Sequence, residues 1–134
     1  MTRPLVLVIE DNEQNLYLAR FLLEKSGFEV AEARDGPAGL EFVRTRVPAA
    51  ILLDIQLPTM SGYAVATELR KNDALTGVPI IAVTSFAMVG DREHCLAAGA
   101  TDYLEKPIDS AVLVAKLREH LSSRAGLPSA PPPG

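Results

Sequence analysis

Cys95 is the only cysteine among 134 residues, so an internal disulfide is excluded and a reducing compartment is expected. The expected place of Cys95 itself is as a small apolar side chain in the core. Long apolar runs are missing too. None approaches the ~20 residues that a membrane-spanning helix needs, so no membrane partner is expected. Basic charge is in deficit: 13 Lys and Arg against 17 Asp and Glu give a net charge of −4. Together with a pI near 5.1, that argues against a nucleic-acid-binding surface. The first apolar run follows Met1–Pro4 directly, which leaves no room for a signal peptide, and a cytoplasmic location is expected. Internal repeats are absent. His94 and His120 have no acid or nucleophile at a recognisable spacing, so both are expected on helix surfaces and no histidine-based activity is expected.

What is present is a core. Hydrophobic residues make up 48% of the chain, too many for a disordered one, and the length suggests one domain. Leu5–Ile9, Ala50–Leu53 and Ile80–Val83 are apolar without alternation, as expected of parallel strands covered on both faces. Glu29–Ala33 mixes Val30 with Glu32 and predicts an edge strand, and Asp102–Glu105 predicts a short fifth strand. Helical segments fall between them: about Glu13 to Ser26 with Asp11 or Asn12 as cap, about Pro37 to Arg46 after Asp35-Gly36, and from Ser61-Gly62 to near Asn72. Two more run from Gly90-Asp91 to before Gly99, and from Asp109 to about Ser123. Five strand–helix alternations imply an α/β fold with right-handed crossovers and helices on both faces. Residues 1–121 form the domain. Residues 122–134, with Pro128, Pro131, Pro132 and Pro133, are expected as a flexible Pro-rich tail.

The apolar runs end in polar residues: Glu10-Asp11 after the first, Asp54 after the third, Thr84 after the fourth, and Lys106 just past the fifth. The carboxyl edge of an open α/β sheet is where ligands bind. A carboxylate such as Asp54 can attack a phosphoryl group and form an acyl phosphate. Mg²⁺ commonly binds one or two carboxylates together with phosphate oxygens, and Asp11 and Asp54 can supply them, with Glu10 acting through a water. Lys106 offers a compact cation and Thr84 a hydroxyl donor to phosphoryl oxygens. Singly, each has an ordinary reading: Asp11 as a helix cap, Asp54 as a solvated strand end, Lys106 paired with Glu105 or Asp109. All of them at one sheet edge is harder to explain that way.

These residues carry a resemblance. Val8-Ile9-Glu10-Asp11-Asn12, Leu52-Leu53-Asp54-Ile55-Gln56-Leu57-Pro58, Ser61-Gly62, Val83-Thr84-Ser85, Gly99-Ala100, Asp102-Tyr103 and Glu105-Lys106-Pro107 follow one another as in a response-regulator receiver domain. The likeness runs from about Leu5 to Leu121. The Glu-Asp-Asn opening and Phe86–Asp91 most resemble small single-domain receivers of the DivK type. The resemblance implies a flavodoxin-like (βα)5 fold with a five-stranded parallel sheet of order 2-1-3-4-5. It implies two-component or phosphorelay signalling, with phosphorylation of Asp54 by a histidine kinase or histidine phosphotransfer protein. Mg²⁺ would be held by Asp11, Asp54 and the Gln56 backbone carbonyl, and through water by Glu10, while Thr84 and Lys106 bind the phosphoryl group. The Lys106-Pro107 peptide is expected to be cis. Tyr103 holds the aromatic-switch position, filling the space that Thr84 vacates and repacking the face made by the fourth helix, fifth strand and fifth helix, where a downstream kinase or regulator would bind. Gln56 and Phe86 would tune acyl-phosphate lifetime, Gln56 by orienting a water and Phe86 by hindering one.

The first helix carries more apolar surface than one stripe can bury. Leu18, Ala19 and Leu22 are expected as its core stripe, which leaves Leu16, Tyr17, Phe21 and Leu23. Either the core face is wide, or Tyr17 and Phe21 form a docking face for the kinase or phosphotransfer helix. Competing functions fare less well. An aspartate-nucleophile phosphatase typically carries a second acid two residues after the nucleophile, and Gln56 stands there. A flavodoxin-like cofactor binder needs a phosphate-cradling loop after the first strand, where Glu10-Asp11 would repel phosphate. No enzyme activity is expected beyond the chain's own phosphorylation and slow autodephosphorylation. The expected signal passes by protein contact, without an output domain. The alternative is a receiver cut from a longer regulator.

Overall fold

In the computed structural model, which describes residues 3–85 and 90–124, five parallel strands form one sheet in the order β2-β1-β3-β4-β5. They are β1 (Leu5–Ile9), β2 (Glu29–Ala33), β3 (Ala50–Asp54), β4 (Ile80–Thr84) and β5 (Asp102–Glu105). The helices α1 (Glu13–Lys25), α2 (Gly36–Thr45), α3 (Gly62–Arg70), α4 (Asp91–Ala98) and α5 (Ser110–Arg124) alternate with them. Phe86 and residues 125–134 lie outside the described residues. Helix α5 continues through Arg124, so residues 122–124, expected in the tail, are helical.

Every residue of β1, β3 and β4 is buried, because side chains alternate between two covered faces. Leu7, Ile9, Ile51, Leu53 and Ile80 pack with α3, where Val65 and Leu69 are buried, and with Val43 of α2 and Cys95 of α4. Val6, Val8, Leu52, Ile81 and Val83 pack on the other face with Leu16, Ala19 and Leu23 of α1 and Leu113 and Leu117 of α5. Each such aliphatic side chain contributes about 1.5–3 kcal/mol by leaving water.

Capping side chains set the entry of α1, α2, α3 and α5, whereas α4 starts at Gly90 without one. Asn12 accepts from the Asn15 amide at 2.9 Å, Asp35 from Ala38 at 2.8 Å and Ser61 from Ala64 at 3.2 Å. Asp109 accepts from Ala111 at 2.9 Å and Val112 at 3.2 Å. A 3-10 turn, Asp73–Leu75, lies between α3 and β4 and buries Leu75; no local periodicity announces it.

Helix α1 departs from expectation. Its buried stripe is Leu16, Ala19 and Leu23, spaced i, i+3, i+7, rather than Leu18, Ala19 and Leu22. Leu18 is 41% exposed, and with Tyr17 at 74% and Phe21 at 52% it forms an apolar outer face. The histidines also differ. His94 is exposed, as expected, but its ring stacks on Tyr63 with centroids 3.7 Å apart. His120 is half-buried, and its Nε2 lies 2.9 Å from Asp102, which Lys116 also holds at 3.0 Å. Burial alone would raise the Asp102 carboxyl, but hydrogen bonds from His120 and Lys116 hold it below the usual range, fastening β5 to α5.

Candidate functional site

The register of the sheet brings the predicted polar residues together. Asp54 pairs with Val83 across β3 and β4, and Thr84 pairs with Glu105 across β4 and β5, so the strand ends line one edge. Asp54 is 3% exposed, Thr84 1% and Glu10 5%, all unusually buried for polar residues. Such groups need partners. Asp54 Oδ1 accepts from the Gln56 amide at 3.0 Å, and Asp54 Oδ2 lies 3.1 Å from Lys106 Nζ. The same ammonium is 3.1 Å from Glu10 Oε1, while Glu10 Oε2 accepts from the Asn12 amide at 3.2 Å. Lys106 therefore pairs with the two buried acids and not with Glu105 or Asp109.

Gln56 has a role that spacing does not reveal. Its Nε2 donates to Thr84 Oγ1 at 2.8 Å, and its Oε1 accepts from the Ser85 amide at 3.2 Å. The side chain thus bridges the ends of β3 and β4 and holds the Thr84 hydroxyl. The loop that follows is strained. Thr59 has φ of 67°, and the Met60 amide donates to the Pro58 carbonyl at 2.5 Å across it, a γ-turn rare for a β-branched residue. The Lys106-Pro107 peptide is cis. Tyr103 is half-buried on β5, beside Ala82 of β4.

Carboxylate oxygens of Glu10, Asp11 and Asp54 lie within 4.8 Å of one another, with Asp11 on the exposed side. An all-oxygen donor set of this kind suits a hard divalent cation. The electrostatics point the same way. Burial, then a hydrogen bond and repulsion from Asp54, raise the Glu10 carboxyl from 4.5 to about 7, against the opposing effects of Asn12 and Lys106. Burial alone would lower the Lys106 ammonium, yet the charge of Asp54 and the bond to Glu10 raise it above its ordinary value.

A pH dependence follows. Between the unfolded value of 4.5 and about 7, the folded protein binds more protons at Glu10 than the unfolded chain does. Stability of the metal-free protein should therefore fall as pH rises through that window, by on the order of 1 kcal/mol. Saturating Mg²⁺ should remove most of that fall, because the cation neutralises the carboxylates. Urea unfolding at both ends of the window, with and without Mg²⁺, measures it.

A family model described as the response regulator receiver domain matches residues 6–118. The polar-differentiation response regulator DivK of Brucella anthropi is 41% identical over 116 residues, covering 87% of this chain and 94% of that protein. The fold also matches the receiver domain of the sensor histidine kinase PA1611 from Pseudomonas aeruginosa PAO1. That structure carries a magnesium ion coordinated in its active-site cleft, and it matches with a TM-score of 0.84 and 36% identity over 90% of this chain and 99% of that one. A CheY-like receiver domain from Methanospirillum hungatei matches with a TM-score of 0.85 and 28% identity over 92% of this chain and 98% of that one.

Proposed function

We propose that this chain, which belongs to the response regulator receiver domain family of two-component signal transduction, is a phospho-acceptor switch that takes its phosphoryl group on Asp54. The observation that carries the reading is a buried Asp54 flanked by an ammonium on one side, a held hydroxyl beyond Gln56, and two further acids within metal-binding reach.

Asp54 supplies the attacking carboxylate oxygen. As its bond to phosphorus forms, the phosphorus–nitrogen bond of a phosphohistidine donor breaks and the imidazole leaves. The donor is a histidine kinase or histidine phosphotransfer protein, and small phosphodonors are accepted without one. Lys106, kept protonated by its two acidic neighbours, pairs with a phosphoryl oxygen in place of Asp54 Oδ2. Thr84 gives up Gln56 and donates to another. Bound Mg²⁺ neutralises charge on the carboxylates and the incoming phosphoryl group; Asp11, Asp54 and the Gln56 carbonyl would hold it directly and Glu10 through water. Loss of the phosphoryl group by autodephosphorylation is slow, since Gln56 stands where an acid would drive turnover. The new charge on Asp54 recruits Thr84, Tyr103 follows inward, and the α4–β5–α5 face changes. A groove of about 310 Å³ lined by Tyr103, Pro107, Val112 and Lys116 lies on that face for a downstream kinase or regulator. Signalling passes by protein contact in the cytoplasm; the chain matches 94% of the length of DivK, itself a response regulator.

The outer face of α1 supports donor docking. Tyr17, Leu18 and Phe21 are exposed together, and a groove of about 530 Å³ runs between α1 and α5 past Leu22, Lys25 and Arg118. Replacing Tyr17 and Phe21 by alanine should slow phosphotransfer from a phosphohistidine protein by about tenfold, the effect of losing interface anchors. Labelling by acetyl phosphate should be unchanged. Equal loss of both would count against docking there. Mg²⁺-dependent transfer from a phosphohistidine protein tests the function itself, and a chain that accepts no phosphoryl group from any donor would overturn it.

A further inference from the structure

The start of α4 is tied to α3 by a group of side chains that the phospho-acceptor chemistry does not use. Helix α3 is fixed relative to Asp54. Gly62 donates to the Ile55 carbonyl at 2.9 Å, and a Cβ at Gly62 would stand 2.5 Å from the Asp54 backbone oxygen. The next residue, Tyr63, reaches across to α4. Its hydroxyl donates to Oδ1 of Asp91, the first residue of that helix, and its ring stacks on His94 one turn later, 3.7 Å away and tilted by 10°. The Tyr63 phenol is held well above its ordinary value, first by the Asp91 bond and then by burial, so the proton stays on Tyr63.

The other Asp91 oxygen, Oδ2, is buried and has no hydrogen-bond partner among the described residues. A buried carboxylate oxygen with no partner among the described residues costs free energy in the arrangement in which it occurs. A shift of α4 that returned this oxygen to water would relieve that cost and would break the bond to Tyr63 and disturb the stack on His94. The helix start is therefore held by this hydrogen bond and the His94 stack, balanced against the buried Oδ2. Two links connect that balance to the switch. The chain that leaves Thr84 enters α4 at Asp91 through Gly90, whose φ is 87°. Besides burial, the charge of Asp91 is the largest influence raising the phenol of Tyr103.

We propose that the Tyr63–Asp91 contact is a latch that holds the start of α4 in the arrangement seen here and so opposes phosphorylation of Asp54. The latch rests on the phospho-acceptor reading, since it resists the movement of Thr84 toward a phosphoryl group. A contact made in one of two states shifts the balance between them by its own strength. For a hydrogen bond to a carboxylate, that is about tenfold. Tyr63 is a positioning residue, outside the cluster of Glu10, Asp11 and Asp54 and the contacts of Lys106 and Thr84.

The test is Tyr63→Phe, which removes the hydroxyl and keeps the ring on His94. In the unphosphorylated variant, amides of residues 91–98 should exchange with deuterium about tenfold faster, with α3 and α5 unchanged. The rate of labelling by acetyl phosphate and Mg²⁺ should rise severalfold, and Asp54→Asn in the same assay shows whether the label reports Asp54. Unchanged α4 exchange overturns the latch. So does acceleration spread equally over the sheet and all helices, which marks simple destabilisation. Faster α4 exchange with an unchanged labelling rate overturns the opposition to phosphorylation. Persistent labelling of Asp54→Asn overturns the phospho-acceptor reading instead, and leaves the exchange result to judge the contact itself.

Discussion

Asp54→Asn should reduce phosphodonor labelling by a thousandfold or more, on the order expected when a covalent nucleophile is removed. The substitution is close to isosteric at a site that is only 3% exposed, so it opens no cavity. Its side-chain oxygen can still accept from the Gln56 amide, as Asp54 Oδ1 does at 3.0 Å. What disappears is the charge, and with it the nucleophile. Lys106 keeps Glu10 as a partner at 3.1 Å, so no ammonium is stranded. Glu10 itself loses the hydrogen bond and the repulsion that help to raise it, and burial alone remains as the raising influence. The variant should therefore fold, keep its metal-free stability better at neutral pH than the parent, and fail to accept a phosphoryl group. Radiolabelled acetyl phosphate with Mg²⁺, read alongside a thermal melt, separates loss of chemistry from loss of fold.

The second large effect is structural. Gly62→Ala should destabilise the protein by about 3 kcal/mol, at the upper end of what overpacking costs. The added Cβ would meet the Asp54 carbonyl oxygen and the Ile55 Cα, both at 2.5 Å, and these are backbone atoms that no rotamer can move. Gly39→Ala provides the contrast. There the closest atom, also at 2.5 Å, is Cδ1 at the far end of the Ile9 side chain, so the cost should be less than half as large. Paired denaturant titrations measure both. Gly62→Ala should also slow phosphorylation more than its stability loss explains, because α3 must move away from the strand end that carries Asp54. A displacement near 1 Å at a reacting group can cost about a hundredfold in rate.

Much of this site can be read from residue order because of how parallel sheets are built. Strands buried on both faces must be continuously apolar, so the first polar residue after Ile9, Leu53 and Val83 marks the sheet edge and names Glu10, Asp54 and Thr84 at once. Caps such as Asp35, Ser61 and Asp109 are equally local, since each bonds an amide two or three residues on. Contacts between distant residues left no such signal. The bridge from Gln56 to Thr84 and the tie from His120 to Asp102 each join residues that no periodicity relates. The stripe of α1 illustrates a different difficulty. Leu16, Leu18, Leu22 and Leu23 are all apolar and allow more than one stripe, and the choice depends on where Val6, Val8 and Leu52 present their face of the sheet.

On the proposed function, Asp54 receives the phosphoryl group with the help of a cation held by the neighbouring acids. The most direct measurement is peptide mapping by mass spectrometry after incubation with a phosphohistidine protein, with and without Mg²⁺. One phosphoryl group on the peptide containing Asp54, formed only with Mg²⁺ and released by hydroxylamine as an acyl phosphate is, is the expected result. A phosphoryl group on His94, His120 or a hydroxyl side chain, or labelling of Asp54 that proceeds equally without a divalent cation, would contradict it.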